Sequence, residues 1–329
     1  MNSFGRIFRI SIFGESHGES IGIIIDGCPA GISIFPNDFV EDLNRRKSGS
    51  IGTTSRKEED IPLLFAGVLN NFSTGAPINI MFKNENRISS DYSSVKSIPR
   101  PGHSDFVADK KFGGFNDYRG GGNFSGRLTL GLVAAGVIAK KILNPIKIDA
   151  KIIEIGGSTN FEEALEKALK NSDSVGGIIE CRVTGLPVGL GEPFFDSVES
   201  ILSHLVFSIP AVKGIEFGLG FESAKKFGSE VNDPYLNSKG ITLSNNAGGI
   251  NGGISNGNEL VFRIAVKPAS SIGKTQNTLN FSNGRIEELN ITGRHDACIA
   301  LRVPPVLEAV TAIGLVDLLL INNALTIRS

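Results

Sequence analysis

Glycine, serine, glutamate and histidine crowd together at Gly14-Glu15-Ser16-His17-Gly18, between the apolar runs Ile7 to Phe13 and Ile21 to Ile25. Two strands need no such residues between them. A site does, because a turn held between strands presents side chains on a rigid support. The five residues also spell G-x-S-x-G, the pattern of a hydrolase elbow, which would make Ser16 a nucleophile. An elbow needs a helix after the turn, whereas Ile21 to Ile25 is a β-branched run that reads as a strand. The packing of Ser, His and Glu favours a functional role for His17 over a turn histidine satisfied by a backbone carbonyl.

Further constellations lie along the chain. Arg100-Pro101-Gly102-His103-Ser104-Asp105 aims an arginine and a histidine around a Pro-Gly turn, and a histidine exchanges protons near neutral pH. By itself it is equally a surface turn. Asp117 to Arg127 holds three consecutive glycines and runs into an apolar helical pattern, a layout suited to anions at a helix N-terminus. Arg119 and Arg127 flank those glycines, which speaks against a merely flexible loop. Ser244 to Ile254 is a glycine and amide loop fit to hydrogen-bond a neutral heterocycle, or to serve as a hairpin connection. Lys267-Pro268-Ala269-Ser270-Ser271 comes after a strand pattern. The nearby Gly273-Lys274-Thr275 is not a phosphate-binding P-loop, because Pro268 stands where that motif starts with glycine. Arg294-His295-Asp296 pairs a cation with a carboxylate ahead of the last apolar segment. Arg45, Arg46, Arg100, Arg119, Arg127, Lys267 and Arg294 all lie in or beside these loops. The full chain of 329 residues carries a net charge of only −1, so this local cluster implies a small, multiply anionic substrate, such as one with a phosphate and a carboxylate. The same near-neutral balance argues against nucleic acid as a partner. No metal-binding constellation is visible.

The elements that position these loops come from periodicity. Strands are predicted at Ile7 to Phe13, Ser20 to Asp26, Pro77 to Phe82, Gly177 to Thr184 and Glu259 to Lys267. Helices are predicted at Asp38 to Arg46, Ser125 to Leu143, Phe161 to Lys170, Ser197 to Phe207 and Pro305 to Ile321. In the second of these, Leu128, Leu132, Ala135, Ala139 and Ile142 line one face. Ser158, Thr159 or Asn160 is expected to cap the third. The stretch Val303 to Leu320 is strongly apolar but holds two prolines, Glu308 and Asp317, so it reads as a buried helix rather than a membrane span. Three widely spaced cysteines suggest a reduced, cytoplasmic protein. The turn Gly27-Cys28-Pro29-Ala30-Gly31 recurs 158 residues later as Gly185-Leu186-Pro187-Val188-Gly189, and Asp38, Val40 and Glu41 recur as Asp196, Val198 and Glu199. The expectation is a single α+β domain over 1–329, with related halves of roughly 1–150 and 151–329. Only the first half keeps the site, since the position equivalent to His17 is Val175.

Taken together, GESHG at 14–18, DGCPAG at 26–31, DLNRRKSG at 42–49, RPGHSD at 100–105, DYRGGG at 117–122, GLGEPFFD at 189–196, NAGGINGGISNG at 246–257, KPASSI at 267–272 and GRHDAC at 293–298 resemble the chorismate synthase family. The resemblance spans essentially the whole chain. It implies a β-α-β sandwich with internal pseudo-duplication, antiparallel sheets enclosing helices, assembled as a homotetramer. It implies a carbon–oxygen lyase of the shikimate pathway. The reaction would be anti 1,4-elimination of phosphate from 5-enolpyruvylshikimate 3-phosphate to give chorismate, with reduced FMN as cofactor and no net redox change. By the same resemblance His17, His103 and Asp296 are catalytic. Ser16, Arg45, Arg46, Arg100, Arg127 and Arg294 bind substrate. Ser125, Gly126, Arg127, Asn245, Asn246, Ala247, Lys267, Ser271 and Arg294 bind the flavin. No nicotinamide-binding fingerprint is visible, so an external flavin reductase is expected. Neither membrane nor nucleic acid is expected as a partner. The loop Ser48 to Arg56 is one residue shorter than in many members and lacks a basic residue, a place for Lys47 or Arg56 to fill. Asn123 and Phe124 replace Arg and Ser found in many members. The competing readings are a serine hydrolase using Ser16 and a non-catalytic anion-binding scaffold.

Overall fold

The computed structural model describes residues 2–54, 58–86, 97–291 and 295–325. In the first half, β1 (Ser3–Phe4), β2 (Arg9–Gly14) and β3 (Ser20–Asp26) lead through a glycine turn into α1 (Val40–Arg46). β4 (Leu63–Ala66) comes next, then the short ladder of β5 (Val68–Leu69) and β6 (Phe72–Ser73), then β7 (Ile78–Lys83), α2 (Asp105–Lys111) and the long α3 (Thr129–Leu143). The second half runs β8 (Lys147–Ile155), α4 (Phe161–Lys170), β9 (Gly177–Thr184), α5 (Val198–Val206), β10 (Val212–Phe217) and the single turn α6 (Gly228–Val231). It continues with the ladder of β11 (Ile250–Asn251) and β12 (Ile254–Ser255), β13 (Leu260–Val266), the hairpin of β14 (Gln276–Asn280) and β15 (Arg285–Leu289), and α7 (Pro304–Leu325).

Two antiparallel sheets result, ordered β1-β2-β3-β7-β4 and β10-β13-β9-β8. Apart from β1, their order is the same: hairpin β2-β3 matches β8-β9, β7 matches β13 and β4 matches β10. The 158-residue echo is thus a repeat of topology, with β3 superposing in sequence on β9 and α1 on α5. The expected α+β sandwich is present, its helices enclosed by antiparallel sheets. β8, β10 and the β14-β15 hairpin were not foreseen, because charges interrupt their apolar residues (Lys147, Asp149, Lys151; Lys213, Glu216; Glu287, Glu288).

α3 is buried on all sides from Thr129 to Ala139, not on one face as its periodicity suggested. It lies between the first sheet and α7, so it has no solvent face to keep polar. Small residues set how close it comes. A Cβ on Gly136 would sit 2.3 Å from Ala309 Cβ, and one on Gly131 would sit 3.3 Å from the Gly22 carbonyl. α7 is buried from Pro305 to Leu318, so its apolar length is spent on the core. Ile21, Ile23, Ile25, Ile80, Ile179 and Ile264 are fully enclosed in one core continuous across both halves. Truncating any of them to Ala would cost about 2–5 kcal/mol. Asn160 is the residue that caps α4, its Oδ1 accepting from the Glu163 N–H at 3.5 Å.

Candidate active site

The β2-β3 connection is a hairpin turn, with Gly14 pairing Ile21, and a strand rather than a helix comes after it. That excludes the nucleophile elbow and with it the Ser16 hydrolase. Ser16 and His17 are buried at 2% and 5% exposure, held by the Ser16 N–H donating to the Gly122 carbonyl at 3.1 Å.

Gly120, Gly121 and Gly122 have φ of 58°, 83° and 51°. A Cβ on Gly120 would lie 2.4 Å from His17 Cε1 and 2.8 Å from Ser16 Oγ. One on Gly121 would lie 3.5 Å from His103 Cε1. The glycines therefore bring two catalytic candidates against one stretch of backbone, which no side-chain-bearing residue permits. Beside this loop opens a cavity of about 650 Å³, within the range of small-molecule sites. Ser16, Arg46, Arg100, His103, Ser125, Gly126, Arg127, Lys267, Ser271 and Asp296 all line it. So does Lys47, whereas Arg56, the other candidate for the cation that the shortened loop lacks, lies outside the described residues.

The cationic wall has an internal structure. Arg127 donates from Nε to Asn84 Oδ1 at 3.0 Å, from Nη2 to the Lys83 carbonyl at 3.3 Å and from Nη1 to Asp60. Arg46 donates from Nε to Thr129 Oγ1 at 3.0 Å and from Nη2 to the Gly126 carbonyl at 3.1 Å. Its Nη1 is buried without a hydrogen bond among the described residues and stands 3.7 Å from Asp60 Oδ2. Burial, and then the nearby Arg302, push the Arg46 guanidinium down to about 9. A buried cation repelled by its neighbours and short of one acceptor is a seat for an anion.

Arg45, one residue earlier, does not belong to this wall. The turn of α1 carries its guanidinium to Glu308, at 2.8 and 2.6 Å, and to Asp42 at 3.0 Å. Glu308 is 2% exposed and also accepts from Lys140 at 2.7 Å and from the Ala150 N–H at 3.1 Å. Burial alone would raise its carboxyl, but hydrogen bonds from Arg45 and Lys140 win and hold it low. Arg45 is thus engaged from the surface by the buried Glu308 and does not line the cavity, in contrast to the substrate contact expected of it.

The Arg100-to-Asp105 turn and the strand-end Lys267 are tied together. Lys267 Nζ donates to the Gly102 carbonyl at 3.0 Å, and Arg100 Nη1 donates to Ser271 Oγ at 2.9 Å. Burial and the charge of Lys213 push the Lys267 ammonium down. Asp296 accepts from the Thr54 N–H at 2.8 Å and from Arg302 Nη1 at 3.2 Å, while Arg302 Nε donates to the Arg46 carbonyl at 3.0 Å. Arg294 lies outside the described residues. Asn245, Asn246 and Ala247 do not line the cavity. Asn245 is spent on the Glu259 carbonyl at 2.8 Å, and Asp233 holds the Asn246 and Ala247 N–H groups at 2.8 and 2.9 Å. Asp60, Asn84 and Arg302 were not foreseen. Asp60 hides in the acidic run Glu58-Glu59-Asp60, which reads as a solvated face.

Comparison with known proteins shows the family. The family model described as chorismate synthase matches residues 8–320. A chorismate synthase from Chitinophaga pinensis is 61% identical over 324 residues, covering 98% of each chain. One from Dehalococcoides mccartyi is 45% identical over 97% of this chain and 96% of its own. One from Pyrococcus abyssi is 43% identical over 99% of each. A crystal structure of chorismate synthase shares the fold, with a TM-score of 0.75, 24% identity and coverage of 97% of this chain and 93% of its own. A family match across nearly the whole length, with relatives this similar, establishes that the chain belongs to the chorismate synthase family.

Proposed function

We propose that this protein removes phosphate from 5-enolpyruvylshikimate 3-phosphate by anti 1,4-elimination, giving chorismate, with reduced FMN as cofactor. The observation that carries the reading is the wall itself: Arg46, whose buried Nη1 lacks an acceptor among the described residues, lines one cavity with Lys47, Arg127 and Arg302 and with His103 and Asp296. A phosphorylated, carboxylated ring supplies the acceptors that Arg46 lacks. Arginines preset around the departing phosphate stabilise charge as it develops. His103 is placed to hold a proton toward that phosphate. Asp296, oriented by Arg302 and the Thr54 N–H, is the carboxylate assigned to the loss of the ring proton. His17, behind Gly120, holds a proton at the far side of the glycine loop.

The cavity fits a flavin as well. Phe207, Ile209, Val303 and Val306 give it an apolar wall suited to a ring system. Ser125, Gly126, Lys267 and Ser271 would hold the cofactor, with Arg294 completing the set by family resemblance. The chemistry that reduced FMN supplies when bound is transient electron donation that eases loss of phosphate without net oxidation. The enzyme is proposed to act as a soluble, cytoplasmic homotetramer, each chain a single domain, with flavin reduced by an external reductase.

The test is anaerobic turnover of 5-enolpyruvylshikimate 3-phosphate with dithionite-reduced FMN, monitored by chorismate absorbance. Product only with reduced flavin is expected. No product from a protein that binds both molecules would leave the anion-binding scaffold instead.

A further inference from the structure

Asp105 has no part in the roles assigned above, yet it holds two residues of the cavity wall, Arg100 and His103. It is the first residue of α2, and its side chain is 5% exposed. Oδ2 accepts from Arg100 Nε at 2.7 Å and from the Arg100 backbone N–H at 3.1 Å. Oδ1 accepts from Arg100 Nη2 at 2.8 Å and lies 2.6 Å from His103 Nδ1. Arg100 Nη2 is itself 3.1 Å from that same Nδ1.

These distances decide the tautomer. Arg100 can only donate, and Asp105 when ionised can only accept. A bare Nδ1 would set its lone pair against a carboxylate oxygen at 2.6 Å. A protonated Nδ1 donates to that oxygen, while Arg100 Nη2 keeps its own bond to Oδ1 at 2.8 Å. The second arrangement satisfies every group, and it leaves Nε2 as the working end of the ring. Nε2 faces the glycine loop, 3.6 Å from where a Cβ on Gly121 would stand. Burial opposes ionisation of Asp105, but hydrogen bonds from Arg100 and His103 outweigh it and keep the carboxyl far below its usual range.

We propose that Asp105, clamped by Arg100, is a positioning residue for His103: its carboxylate keeps the proton on Nδ1 and turns Nε2 toward the leaving phosphate. The logic is that of a carboxylate that orients a catalytic imidazole without exchanging protons itself. The proposal rests on the reading of the cavity as a lyase site only for the identity of the leaving group. The orientation of His103 can be tested without any substrate.

The chain has four histidines, so solid-state 15N NMR of histidine-labelled protein, with His103→Gln to assign the signal, reads the tautomer directly. Wild-type His103 is expected to carry its proton on Nδ1 when the ring is neutral. Asp105→Asn, of the same shape, should shift that signal toward the other tautomer. It should lower kcat about 10²-fold with KM within about twofold, and Asp105→Glu should restore part of the rate. A neutral wild-type ring protonated on Nε2, or an Asp105→Asn protein with an unchanged His103 signal, would overturn the proposal. The NMR result stands whether or not chorismate is formed, so failure of the lyase reading is recognised separately.

Discussion

β3, the Gly27 to Gly31 turn and α1 in the first half stand where β9, the Gly185 to Gly189 turn and α5 stand in the second, yet the two frames deliver opposite chemistry. α1 ends in Arg45 and Arg46. The equivalent positions of α5 are Ser203 and His204, and the residues that α5 then delivers to the cavity are Phe207, Ile209 and Pro210. His204 faces outward to Phe4, ring centroids 5.5 Å apart and edge-on. The turn before β3 holds Ser16 and His17, whereas residues 156–176 before β9 are given over to α4 and the loops around it, ending with Val175 and Gly176. The two equivalent helices thus deliver a cation on one side and apolar side chains on the other to the same space, while Lys267, Asp296 and Arg302 of the second half reach it from outside α5. That is what a site needs if it must seat a multiply anionic substrate against a largely apolar ring system.

The sharpest way to break this asymmetry is Arg46→Ala. It removes the buried Nη1 that lacks an acceptor among the described residues and leaves Asp60 with one cation fewer, so kcat/KM should fall about 10³-fold in steady-state turnover. Gly120→Ala should come next, at about 10²-fold, because the new methyl must displace His17 at a backbone conformation that L-residues avoid. Glu308→Gln tests the other arginine of the pair. It removes the acceptor that Arg45 and Lys140 share and leaves them only Asp42, and because Arg45 is partly solvated, chemical denaturation at pH 7 should show a loss of about 1–2 kcal/mol. Glu308 titrates low in the fold, so its contribution is complete above the usual carboxylate value of about 4.3 and is lost as pH falls below it. The gap between variant and wild type should therefore close in acid. Phe207→Ala, on the apolar wall, should weaken flavin affinity about tenfold by equilibrium titration and leave the salt dependence of substrate binding as in wild type. His204→Ala, the positional twin of Arg46, should change turnover by less than about twofold.

Much of this frame was legible in the chain. β3, β9 and α4 match the sequence pattern residue for residue, since long apolar alternation and a capped amphipathic helix are local signals. The repeated Gly-x-Pro-x-Gly turn announced the duplication. The site was legible as a set of loops and not as a set of contacts. Arg45 and Arg46 are adjacent in sequence and look interchangeable. Only the helical rotation between them, and a Glu308 that lies 263 residues from Arg45, send one to an ion pair outside the cavity and the other to the cavity. Asp60 reaches Arg127 across 67 residues, through tertiary folding alone. The Asn245-to-Ala247 loop reads like a ligand cradle, yet its hydrogen bonds are consumed by Asp233 and Glu259.

Everything proposed for the charged wall turns on an anion completing the hydrogen bonding of Arg46. A crystal structure of the protein with 5-enolpyruvylshikimate 3-phosphate would show this directly. A phosphate or carboxylate oxygen of the substrate is expected within hydrogen-bonding distance of Arg46 Nη1, with Arg45 still on Glu308. A substrate bound elsewhere in the cavity, with Nη1 still lacking an acceptor, would refute that role for Arg46.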